Sequence, residues 1–146
     1  MYESLNVAGS RPPVYPVEAG KVYVSDGSFE ITAAQNIDEI VVALCILPPG
    51  CIPVDFTVVL DDLDDAAALV WDGGGIKTTE DEVDQVMISA STVGQTAGIA
   101  RSTLFPVVVP AETETLFGIH ITTAAGTPNA GTMRGILTYR AVEYGS

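Results

Sequence analysis

Residues 37–65 read IDEIVVALCILPPGCIPVDFTVVLDDLDD. Two β-branched apolar runs, 37–47 and 52–60, are separated by Pro48-Pro49-Gly50 and followed by an acidic cluster. Valine, isoleucine and phenylalanine suit a pleated, half-buried surface, so both runs predict long strands. Proline fixes φ and glycine supplies positive φ, which makes Pro-Pro-Gly a sharp turn. The segment builds a sheet rather than a catalytic centre.

The same pattern extends outward. Residues 21–25 (KVYVS) and 28–32 (SFEIT) flank Asp26-Gly27, a strong hairpin signal. Residues 33–36 read as a loop. Residues 66–71 predict a further strand, stopped by Asp72-Gly73-Gly74-Gly75. Residues 79–88 (TEDEVDQVMI) open with Thr79 as an N-cap and three acids after it, a pattern that fits a short helix as well as a strand. The small, polar residues 89–103 predict a long loop. Residues 104–109, 115–123 and 132–142 are strand-like, the last two joined by the loop 124–131. About eight strands and no long helix define an all-β chain and predict a jelly-roll-like β-sandwich.

Residues 1–20 differ. Arg11-Pro12-Pro13-Val14-Tyr15-Pro16 favours polyproline II. The expected division is an extended N-terminal arm, 1–20, and a β-sandwich domain, 21–146. Tyr2, Leu5, Arg11, Pro12, Pro13, Val14 and Tyr15 are the arm residues expected to lie on a partner surface.

The chain has 146 residues, enough for one core. It is 47% hydrophobic with a mean hydropathy of +0.34, yet carries a net charge of −13. That combination predicts subunit association through apolar surface. The six Lys and Arg are scattered, which argues against binding nucleic acid or an anionic membrane. The N-terminal residues lack the basic and apolar regions of a signal peptide, and the longest apolar run, 40–47, is too short to span a bilayer. Synthesis and folding in a cytosol are expected. Cys45 and Cys51 flank the turn and read as small buried hydrophobes rather than a disulfide.

Signals for chemistry are few. Asp61, Asp62, Asp64 and Asp65 supply hard oxygens that can hold Ca²⁺, but the EF-hand spacing is absent and a solvated turn explains them as well. Ten of the 19 acids fall in 55–84, against one lysine, a negative stretch suited to a basic partner. His120 is the one histidine and alternates away from Ile119 and Ile121. No serine sits in a G-x-S-x-G setting, and Gly73-Gly74-Gly75-Ile76-Lys77 lacks the spacing of a phosphate loop. No enzyme and no cofactor are expected. A carbohydrate-binding sandwich would use loops at 73–77 and 124–131, but Trp71 is the one tryptophan available to it.

Three segments carry a resemblance: Leu47-Pro48-Pro49-Gly50; the strand 52–60 with Asp61-Asp62-Leu63-Asp64 after it; and the late strand Gly135-Ile136-Leu137-Thr138-Tyr139. Together they resemble small structural proteins of tailed-bacteriophage virions, of the capsid decoration or cement type. The likeness covers 20–75 and, more loosely, the last strand. It implies a β-sandwich on the outer capsid surface, made in the host cytoplasm. It also implies binding to the major capsid protein, stabilisation of the head, and association as a homo-oligomer, with a trimer favoured. It offers no catalytic residue. A tail or head-fibre attachment protein is the neighbouring expectation.

Overall fold

The computed structural model describes residues 1–9, 21–105 and 112–141. In chain order these form β1 (Tyr2–Glu3), α1 (Leu5–Ala8), β2 (Val22–Ile31), β3 (Val41–Leu47), β4 (Cys51–Leu60), β5 (Val70–Lys77), β6 (Glu82–Ser91), β7 (Gly98–Arg101), β8 (Thr115–Thr123) and β9 (Gly131–Ala141). The strands make two sheets, ordered β1-β3-β8-β5-β6 and β2-β9-β4-β7. Apart from β1, the pairings are nested and antiparallel: β2 with β9, β3 with β8, β4 with β7, β5 with β6. The chain is one long ribbon whose tip is the β5–β6 hairpin. Rolling it up sets β9 against β4 and β8 against β5. This is the jelly-roll sandwich that the strand count predicts.

Alternation along the strands fills the interior. β9 buries Met133, Gly135, Leu137, Tyr139 and Ala141 and turns the residues between them outward. Trp71, Tyr139, Phe56 and Phe117 are the bulkiest fully buried side chains. Phe56 of one sheet meets Phe117 of the other edge-on, with centroids 5.8 Å apart. The Trp71 indole N–H donates to the Val93 carbonyl at 2.7 Å, so its polar atom stays satisfied in the core. β3 is buried on both faces, which is why 41–47 reads as an unbroken apolar run. Val42, Leu44 and Leu47 join the main core, while Val41, Ala43 and Ile46 form a second cluster with Val7 of α1 and Ile76 of β5.

The first nine residues lie on the chain's own sandwich. β1 pairs in parallel with β3. Ser4 is buried; its N–H donates to the Ala43 carbonyl at 2.7 Å and its hydroxyl to the Leu44 carbonyl at 2.8 Å. Tyr2 stacks on Phe29 of β2 at 5.6 Å, and the Asn6 amide donates to the Asp26 carbonyl at 2.7 Å. The segment therefore bridges β3 of one sheet and β2 of the other. Leu5 sits in α1. Arg11, Pro12, Pro13, Val14 and Tyr15 lie outside the described residues.

Several local expectations are corrected. Asp26-Gly27 is not a turn: β2 runs straight through it, with Gly27 opposite Gly135. The glycine serves a close approach, since a Cβ there would lie 2.0 Å from the Leu44 carbonyl oxygen. Pro48-Pro49-Gly50 is the sharp turn expected, with Gly50 at φ 72°, but it arches from one sheet to the other instead of joining paired strands. Gly73, Gly74 and Gly75 do not end a strand; they lie buried inside β5. Within 79–88 the residues from Glu82 onward take the strand alternative and 79–81 lie in the turn that joins β5 to β6, because pairing of β6 with β5 outweighs a helix-start pattern. The expected loop 89–103 contains the end of β6 and all of β7. Leu104 and Phe105 are exposed and outside any strand, and residues 106–109 of that expected strand lie outside the described residues.

Cys45 and Cys51 are buried free thiols. Burial, and after it the Asp26 carboxylate, pushes the Cys45 thiol far above the ordinary cysteine value; burial also raises Cys51. The thiolate is the reactive form. Both cysteines should therefore resist a thiol-reactive dye in the native protein and titrate as two groups in denaturant. Rapid labelling of either in the native state would contradict this packing.

Candidate functional site

One end of the sandwich gathers four loops: 32–40, 61–69, 92–97 and 124–130. Hydrogen bonds knit them together. The Leu63 N–H donates to Gly94, that of Asp65 to Thr127, and that of Asn129 to Leu63. The Asn36 side-chain amide donates to the Leu63 carbonyl at 2.8 Å, and the Gln95 amide to the Leu69 carbonyl at 2.9 Å.

Asp64 is the centre of this network. It is 1% exposed. One carboxylate oxygen accepts the Ala66 and Thr127 N–H groups, both at 2.9 Å. The other accepts Ala68 at 2.6 Å and Leu69 at 2.8 Å. Burial by itself would raise the carboxyl pKa. The four backbone donors outweigh it and hold the group well below the usual carboxylate range.

The rest of the predicted acidic cluster is dispersed. Asp61 accepts the Thr132 N–H at 2.9 Å, Asp65 accepts the Asn129 amide at 2.9 Å, and Asp62 accepts the Asp64 N–H at 3.4 Å. Among the described residues no three His, Cys, Asp or Glu side chains converge as a metal site would require. The cluster builds a loop: each carboxylate is an acceptor for neighbouring N–H groups. Local sequence shows the Asp-x-Asp spacing but not Thr127, which comes from a loop 63 residues away.

The loop end is nonetheless strongly negative. Asp38, Glu39, Asp61, Asp62, Asp64 and Asp65 lie in its loops, and no Lys or Arg does. The acids of 80–84 are separate. They sit past Lys77, at the opposite end of β5, roughly 25 Å away for eight extended residues. There Lys77 pairs with Glu80 at 2.5 Å, raising the lysine and lowering the carboxyl. The single negative stretch of the sequence is thus two regions in space.

The remaining candidates are held structurally. His120 projects from β8 and meets Glu39 at 2.9 Å. Trp71 is fully buried and offers no platform for a sugar ring, and Gly73–Gly75 form no loop. Sequence reasoning misses the outer face of the β2-β9-β4-β7 sheet. Arg101, Arg134 and Arg140 all project there, beside exposed Val22, Val24 and Ile99. The period-2 alternation of 132–142 is the signal that could have found two of those arginines.

The fold can be set beside solved structures. The chain is similar to a chain titled capsid of Ralstonia phage GP4, with a TM-score of 0.85, 24% identity and 97% of each chain covered. It is similar to a chain of the cyanophage Pam1 capsid asymmetric unit, with a TM-score of 0.69, 26% identity, and coverage of 90% of this chain and 95% of that one. A looser likeness links it to the acidic stable capsid structure of Helicobacter pylori bacteriophage KHP30: TM-score 0.54, 14% identity, coverage of 86% and 92%. No family model and no curated protein sequence matches the chain. The fold is that of phage capsid components, and the likenesses support a phage virion structural protein with a capsid-related role.

Proposed function

We propose that this chain is a non-enzymatic capsid decoration, or cement, protein. It lies on the outer surface of the head, binds the major capsid protein and stabilises the shell, and it associates with its own copies as a trimer. The observation that carries the reading is a whole-chain jelly roll shared with a phage capsid component over 97% of both chains. The described residues are compatible with a packing role: Asp64, His120 and both cysteines are each engaged within the fold or buried. Weak contacts repeated over a symmetric shell would add through avidity.

The test is co-sedimentation of the purified protein with expanded, empty heads that lack it. Saturable binding at a fixed number of copies per capsomer is the expected result. Presence in virions without head binding would transfer the protein to the tail or fibres, and absence from virions would end the structural reading.

Residues 11–15 are proposed to reach a neighbouring subunit. Deleting 1–20 would also remove Ser4 and Val7 from the core, so point changes are the cleaner probe. Arg11→Ala with Tyr15→Ala is expected to weaken head binding at least tenfold with the melting temperature unchanged. Unaltered binding would remove the arm from the interface.

A further inference from the structure

The outer face of the β2-β9-β4-β7 sheet is arranged in cross-strand rows. One row is Val22, Arg140 and Ile52; the next is Val24, Thr138 and Asp55. Asp26, Ile136, Thr57 and Arg101 follow, then Ser28, Arg134, Val59 and Ile99. Val22, Val24 and Ile99 are 55%, 56% and 60% exposed. Three of the chain's six cationic residues stand among them. Arg134 is paired with Asp26 at 3.1 Å, whereas Arg101 and Arg140 have no ion-pair partner among the described residues.

We propose that this face is the seat of a second copy of the chain, which lays its acidic loop end on Arg101 and Arg140 while apolar surface covers Val22, Val24 and Ile99. Charge decides the occupant. Two chains of net charge −13 repel over most orientations. On the outer face Arg101, Arg134 and Arg140 balance Glu30, Asp26 and Asp55, so the repulsion is weakest there, and Arg101 and Arg140 are the cations left to meet carboxylates of another copy. The loop end, with Asp38, Glu39, Asp61, Asp62 and Asp65 and no cation in its loops, is the complementary surface. A contact between two different patches is heterologous, and such contacts close into rings when the rotation allows. The area agrees. Four strands at ~4.8 Å spacing and about eight residues of length give a face of roughly 500 Å², so one contact removes about 1,000 Å² in total, the lower bound for a specific interface. The contact is therefore salt-sensitive in solution and reinforced where copies are held side by side. This deepens the capsid reading by naming the surface through which neighbouring copies meet.

Sedimentation velocity of the full chain tests it. The wild type is expected to associate at low salt and to fall to its 15.2 kDa single-chain mass at high salt. Arg101→Glu with Arg140→Glu, and separately Ile99→Asp, should weaken association at least tenfold with unchanged circular dichroism. Adding Asp38→Lys and Asp62→Lys to the double arginine variant should restore it. A wild type that sediments as a single chain at all concentrations overturns the proposal, as does association untouched by the face variants. A single-chain wild type that still binds heads overturns this inference and leaves the decoration reading standing. Face variants that associate normally but no longer bind heads would assign the face to the shell instead.

Discussion

Asp64→Ala is expected to destabilise the protein by about 3–5 kcal/mol, the range seen when one partner of a buried charged network is removed. The change leaves the N–H groups of Ala66, Ala68, Leu69 and Thr127 without their acceptor at a site 1% exposed. Each stranded donor costs about 1–3 kcal/mol, and water entering the loop recovers part of that. At two to four degrees per kcal/mol for a chain of this size, the melting temperature should fall by roughly 6–20 °C. Asp64→Asn keeps one acceptor oxygen and should lose about half as much. The pH dependence follows in sign. The folded-state pKa lies below the unfolded value, so the stabilisation is complete above the ordinary carboxylate range and drains away as pH falls below it. Urea midpoints measured from neutral to acidic pH should decline for the wild type and much less for Asp64→Asn. Equal acid sensitivity of the two would show that Asp64 is not the group responsible.

Gly27→Ala is the second large effect, expected at about 3 kcal/mol, the upper end for overpacking a core. The added Cβ would stand 2.0 Å from the Leu44 carbonyl oxygen and 2.7 Å from the Ser4 hydroxyl oxygen. One obstacle is sheet backbone and cannot swing away. To relieve it, β2 must separate from β3, which breaks the Ser4–Leu44 hydrogen bond and lifts residues 1–9 off the sandwich. Enhanced proteolysis near the N-terminus should accompany the lower melting temperature. Gly98→Ala is the control: its Cβ would meet Val93 at an ordinary 3.5 Å, so a near-neutral change is expected. A near-neutral Gly27→Ala would mean that the two sheets approach less closely there than described.

These two residues also show what local sequence could reveal. Alternation located β8 and β9 almost to the residue, and the Pro-Pro-Gly turn with its positive φ was readable because the cause lies within three residues. Gly27 reads as a turn in local sequence because its true constraint is the Leu44 carbonyl, 17 positions on in another sheet. Gly73–Gly75 read as a strand stop for the same kind of reason, since it is Trp71, Phe56 and Gln85 that occupy the space their side chains would need. The segment before and within β6 carries a helix-start pattern whose influence is local and weak beside six cross-strand pairs with β5. The acidic cluster was visible as composition. Its division between two ends of β5, and the role of Asp64 as a backbone acceptor, depend on topology.

The nested pairing of β2 with β9 and of β4 with β9 has a consequence during synthesis. β9 lies at the centre of its sheet, yet 130 residues precede it. While the ribosome makes the intervening chain, β2 and β4 wait with their β9-facing edges unsatisfied, and no earlier strand takes that place. The sheet is completed only when the last strand slides between two that have waited for it. Until then each nascent chain exposes the edges on which copies could pair wrongly. Where many copies are made at once, the interval before β9 emerges is the protein's most vulnerable one.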